Sequence, residues 1–121
     1  MSLHWSILPG DEMVSVSGEG AITRADIERY LAATIRGGAK TYAKLIELTS
    51  SCTLALDHDD VDSVARSLVQ YGSDAPAAGR VAMVVHSELN LDMAMLLKQR
   101  VGARPFSIFL SPMEARAWLQ G

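Results

Sequence analysis

Polar and apolar residues alternate at the start of the chain. Leu3-His4-Trp5-Ser6-Ile7 puts a large apolar side chain at every second position, the period of a half-buried strand. Pro9-Gly10-Asp11-Glu12 supplies turn chemistry, because proline presets φ and glycine accepts positive values. Met13-Val14-Ser15-Val16-Ser17 returns with Val14 and Val16 on one face, which predicts a hairpin whose second strand ends at Gly18 and Gly20. The period then turns helical. Thr23 with Asp26 at the third position is a form of the capping box. Ile27, Tyr30, Leu31, Thr34 and Ile35 share the face of a helix that Gly37 and Gly38 end.

From Tyr42 to Leu48 the chain is apolar on both parities, which predicts a strand buried on both faces. Residues 49–57 read as a polar loop, with Leu54-Ala55-Leu56 as its apolar patch. A second helix starts near Asp57, where Asp59, Asp60 and Asp62 complement its positive end. Its stripe is Val61, Val64, Ala65, Leu68 and Val69; Gly72 closes it, and residues 72–79 form a loop. Val81-Ala82-Met83-Val84-Val85 is unbroken apolar sequence and reads as the central strand. Ser87 caps a third helix with the stripe Leu89, Met93, Leu96, Leu97 and Val101, stopped by Gly102. Phe106 to Leu110 is the last strand. Ser111-Pro112-Met113-Glu114 then opens a short helix that buries Ala115, Trp118 and Leu119.

The predicted order is β-β-α-β-α-β-α-β-α, an α/β fold. Right-handed crossovers make its sheet mostly parallel, and the opening hairpin makes it mixed. With 121 residues, 49% hydrophobic and 21% charged, residues 1–121 read as a single globular domain. The net charge of −3 and pI near 5.5 lack the basic footprint that a phosphate backbone demands, so nucleic acid is not an expected partner. Cys52 is the lone cysteine, which excludes an internal disulfide and a multi-cysteine metal site. The longest apolar stretch, Val81 to Val85, is too short for a bilayer, and no signal peptide is read at the start. The expected location is the cytoplasm.

Three stretches carry a resemblance: Gly18-Glu19-Gly20-Ala21-Ile22-Thr23-Arg24-Ala25-Asp26, Gly79-Arg80-Val81-Ala82-Met83-Val84-Val85-His86-Ser87, and Phe109-Leu110-Ser111-Pro112-Met113-Glu114-Ala115-Arg116-Ala117-Trp118-Leu119. With this element order, the chain resembles the SpoIIAA-like family, the bacterial members of the STAS/SEC14-type group. The resemblance implies a small mixed sheet with helices chiefly on one face. It also implies protein–protein regulation or the binding of a small or lipid-like ligand. In the anti-sigma-antagonist branch a phosphorylatable serine opens the helix after a parallel strand, in an Asp-Ser-Ser-Gly setting. The matching stretch here, Glu47-Leu48-Thr49-Ser50-Ser51-Cys52, keeps the serines but displaces the acid and lacks the glycine.

Ligands of open α/β sheets gather at the carboxyl ends of parallel strands. The candidate binding residues are therefore Glu47, Thr49, Ser50, Ser51, Leu54, Leu56, His86, Ser87 and Met93. Ser87 is already explained as a cap, and no Gly-x-Ser-x-Gly elbow raises a nucleophile. His4, His58 and His86 are too far apart for a His-x₃-His pair, so neither a metal nor a cofactor is expected. The leading expectation is a non-enzymatic STAS-like module binding a protein partner or a small apolar or lipid-like ligand near the third helix and residues 49–57. One alternative is a phosphorylation-controlled regulator using Ser50 or Ser51. The other is a small serine hydrolase using Ser50 or Ser51 with His86 and Glu47. A homodimer is also expected, through the third helix (Met93, Met95, Leu96) or the first-strand edge, with the helix favoured.

Overall fold

The computed structural model describes residues 2–73, 77–102 and 105–121. Its elements are β1 (Leu3–Leu8), β2 (Met13–Ile22), α1 (Arg24–Arg36), β3 (Ala43–Leu54), α2 (His58–Ser73), β4 (Val81–Val85), α3 (Glu88–Val101), β5 (Phe106–Phe109) and α4 (Pro112–Gln120). They form a five-stranded sheet in the order β1-β2-β3-β4-β5. β1 is antiparallel to β2, and the other pairs are parallel. The α/β class and element order thus agree with the sequence reading. Residues 74–76 of the expected 72–79 loop lie outside the described residues.

Strand alternation decides which side chains meet which helices. Val14, Val16, Leu48, Val81, Met83 and Phe106 share a core with Tyr30, Leu31, Ala65, Tyr71, Ala94 and Val101 of α1, α2 and α3. Leu45, Ala82, Val84 and Phe109 point to the other face and pack with Ala115, Trp118 and Leu119 of α4. Three helices therefore cover one face and one covers part of the other. α4 reaches β3, β4 and β5. The matching side of β1 and β2 presents His4 opposite Ser17 and Ser6 opposite Ser15, a polar surface that needs no cover.

Two strand boundaries correct the sequence reading. β2 does not end at its glycines but runs to Ile22, and β3 does not end at Leu48 but runs to Leu54. The expected loop after Leu48 is largely strand. Gly18 pairs with Leu48 and Gly20 with Cys52, so Thr49-Ser50-Ser51 stand against the single Glu19. This is a β-bulge, after which pairing resumes from Ala21↔Thr53 to Ile22↔Leu54. Gly18 sits at a close approach: a Cβ there would meet Ile22 Cδ1 at 2.5 Å and Cys52 Sγ at 3.2 Å.

Three stripe residues are also corrected. Ile35, Val69 and Leu89 are 55%, 45% and 60% exposed. Ile35 turns about 100° from the buried Thr34, and Val69 turns by the same angle from the half-buried Leu68. Leu89 lies in the first turn of α3, about 100° around the helix from the buried Asn90.

Candidate functional site

At the carboxyl end of the sheet, Glu47 shares the α4-facing side with Leu45. His86 continues the parity of Ala82 and Val84 beyond β4. The two meet, with Glu47 Oε2 and His86 Nε2 2.9 Å apart and side chains 43% and 33% exposed. Thr49 Oγ1 donates to the Gly18 carbonyl at 2.8 Å and lies 3.1 Å from Ser51 Oγ. Ser50 and Ser51 are exposed on the bulge. Among the described residues the hydrogen-bond partner of His86 is Glu47 and that of Ser51 is Thr49. Ser87 accepts the Asn90 N–H as the cap of α3. The candidate polar residues thus lie along one sheet end as a glutamate–histidine pair and a separate hydroxyl pair.

The apolar candidates lie deeper. Leu54 and Leu56 are buried, and Met93 is half-buried between two core clusters. Leu56 joins Val61, Val64 and Leu97 in a satellite cluster that anchors the chain's entry into α2. Leu54 is a wall of a cavity of about 70 Å³ between the sheet and α1–α3. Val16, Ile22, Leu48, Leu68 and Leu97 line the same space. At about 24 cal/mol per Å³, a void of this size costs roughly 1.7 kcal/mol. Interiors hold few voids larger than a water.

Lys44 and Tyr71 give the cavity its polar end. Lys44 is 2% exposed because its strand parity is that of Ile46 and Leu48, so it points beneath the helices. Its Nζ donates to the Lys40 carbonyl and lies 5.3 Å from the centre of the Tyr71 ring, with Lys40 Nζ at 5.4 Å. Thr34 Oγ1 spends its proton on the Leu31 carbonyl at 2.8 Å, so at its 2.8 Å contact with Tyr71 the phenol donates. These polar groups are engaged within the fold, and apart from Tyr30 the remaining wall is hydrocarbon.

The sequence reading missed Asn90. It is 1% exposed in the first turn of α3. β4 ends at Val85, opposite Leu48, and leaves the extension of β3 without a neighbour on that side. Asn90 takes its place: Oδ1 accepts the Leu54 N–H at 3.2 Å, and Nδ2 donates to the Cys52 carbonyl at 2.9 Å. The amide thus stands in for a strand and fixes Leu54 in the cavity wall. Cys52 is buried beside it, and desolvation pushes its thiol up to about 11, which keeps it protonated and unreactive at neutral pH.

Among the described residues no three His, Cys, Asp or Glu side chains gather as metal ligands. No helix there is long and apolar enough to cross a membrane. No protein-family model and no curated protein matches the chain. Its structure is similar to that of an uncharacterised protein of the DUF3478 family with a SpoIIAA-like fold from Shewanella loihica PV-4. The TM-score is 0.59 at 18% sequence identity, over 98% of this chain and 93% of that one. The fold is therefore SpoIIAA-like.

Proposed function

We propose that this chain is a non-catalytic binding module that takes a small apolar ligand into the cavity between its sheet and α1–α3. The observation that carries the reading is the cavity itself, about 70 Å³ of space with largely hydrocarbon walls inside the main core. An engineered cavity of about 150 Å³ stays dry and takes up benzene. The space here is smaller, so it suits a compact apolar group better than a whole lipid chain. The absence of catalysis is part of the proposal. It is supported by the partition of the polar candidates, in which His86 holds Glu47 while Ser51 holds Thr49. A cytoplasmic setting belongs to the same reading, and a lone buried thiol suits a reducing compartment.

Methyl NMR with xenon and benzene as probes tests this directly. Saturable shifts are expected at Leu48, Leu54 and Leu97, with the methyls of Leu110 on the surface unmoved. Shifts that grow linearly, or spread evenly over surface methyls, would overturn the proposal.

A further inference from the structure

We propose that two copies of this chain join through the free edge of β1, antiparallel, about a two-fold axis perpendicular to the sheet at Trp5. β1 is a terminal strand, and the strand it pairs with is β2. The other terminal strand, β5, has 4 residues, whereas β1 has 6. β1 holds unbroken register with β2 from Leu3↔Gly18 to Leu8↔Met13. An exposed edge of this kind is normally blunted by a proline, a lysine, a bulge or an inward charge. Leu3-His4-Trp5-Ser6-Ile7-Leu8 contains none of them.

The strand's own pattern identifies the occupant. Side chains directly opposed in an antiparallel pair lie on one face of the sheet. A two-fold axis perpendicular to the sheet keeps helix side with helix side, so residues of equal parity must meet. Centred on Trp5, the axis sets Trp5 against the partner's Trp5, Leu3 against the partner's Ile7, and His4 against the partner's Ser6. The helix-side row is then apolar against apolar, and the solvent row polar against polar. Centred one residue on, at Ser6, the axis would set His4 against the partner's Leu8 and leave Leu3 unmatched. The strand is its own complement in the first register. It carries no Lys, Arg, Asp or Glu to repel a like copy or to select a charged peptide.

Burial agrees with this placement. Trp5 and Ile7 lie on the core side yet are only half-buried, with Trp5 edge-on to Tyr30 at 5.6 Å. A second copy's row would continue the sheet over both. α3 offers less. Its Met93 and Leu96 pack against core clusters. Its exposed Leu89 and Met95 are six residues apart, about 240° around the helix, and form no common patch.

Sedimentation velocity at micromolar concentration provides the test, with a double variant His4→Lys/Ser6→Lys and its counterpart His4→Glu/Ser6→Glu. Both positions are exposed, so circular dichroism and melting should match the parent's. The parent should sediment at twice the chain mass and each variant at the chain mass. An equimolar mixture of the variants should return to the dimer, because every altered cross-strand pair then joins opposite charges. A monomeric parent would overturn the proposal. So would a dimer that survives the lysine variant, a dimer split by Met95→Glu, or a mixture that stays monomeric.

Discussion

Asn90 shows how a single side chain can set where a strand ends. Its amide satisfies the Leu54 N–H and the Cys52 carbonyl, both buried and both without a β4 neighbour. Asn90→Ala would leave both groups unmade, at about 1–3 kcal/mol each, a loss that chemical denaturation at constant m-value should register as roughly 2–6 kcal/mol. Amide exchange at Leu54 should accelerate with it. A variant within 0.5 kcal/mol of the parent, on the order of an ordinary surface substitution, would refute the role. Nothing in the local sequence announces Asn90, because its partners lie 36 and 38 residues away. Lys44 differs. Its parity with Ile46 and Leu48 is local information, but apolar residues on both parities of the strand leave open which side the helices cover.

At the scale of elements, caps read well and strand ends read poorly. Thr23, Ser87 and Ser111 cap their helices as expected, since capping is a bond between residues three apart. The extension of β3 was hidden because its first residues, Thr49-Ser50-Ser51, form the polar bulge. Yet Cys52, Leu54 and Leu56 alternate behind it, and all three are buried. The cap of α1 carries a pH signature. The Asp26 carboxylate accepts the Thr23 backbone N–H at 2.9 Å, the Thr23 hydroxyl at 3.1 Å and Arg29 at 2.6 Å. These contacts, the backbone bond foremost, hold its pKa below the ordinary 3.8. Because the folded pKa is the lower one, the stabilisation is full above the unfolded value and fades as pH falls through that value to the folded one. Asp26→Asn should therefore melt below the parent at pH 7, with the gap narrowing under about pH 4. A gap independent of pH would assign the effect to something other than the carboxylate's charge.

At the scale of the whole molecule, the fold was legible and the cavity was not. Alternation, helical stripes and crossovers define the sheet and its two covered faces. Free volume depends on how side chains from eight elements fit together, which no local pattern encodes. The same volume makes a paired substitution informative. Val16 lines the cavity; Val14, two residues earlier on the same face, is fully buried and does not. Val16→Ile adds a methylene where there is room, worth up to about 0.8 kcal/mol. At this chain length that corresponds to a rise in Tm of roughly 3 °C. Val14→Ile adds the same group where there is none and should cost about 1–3 kcal/mol. If the space serves a ligand, Val16→Ile should weaken xenon binding while raising Tm, because the added methylene occupies the volume the gas would take. Calorimetry of the two variants beside the parent checks the stability half and xenon titration the binding half. Equal destabilisation by both substitutions would mean that the wall around Val16 is already full, and the binding reading would lose the observation it stands on.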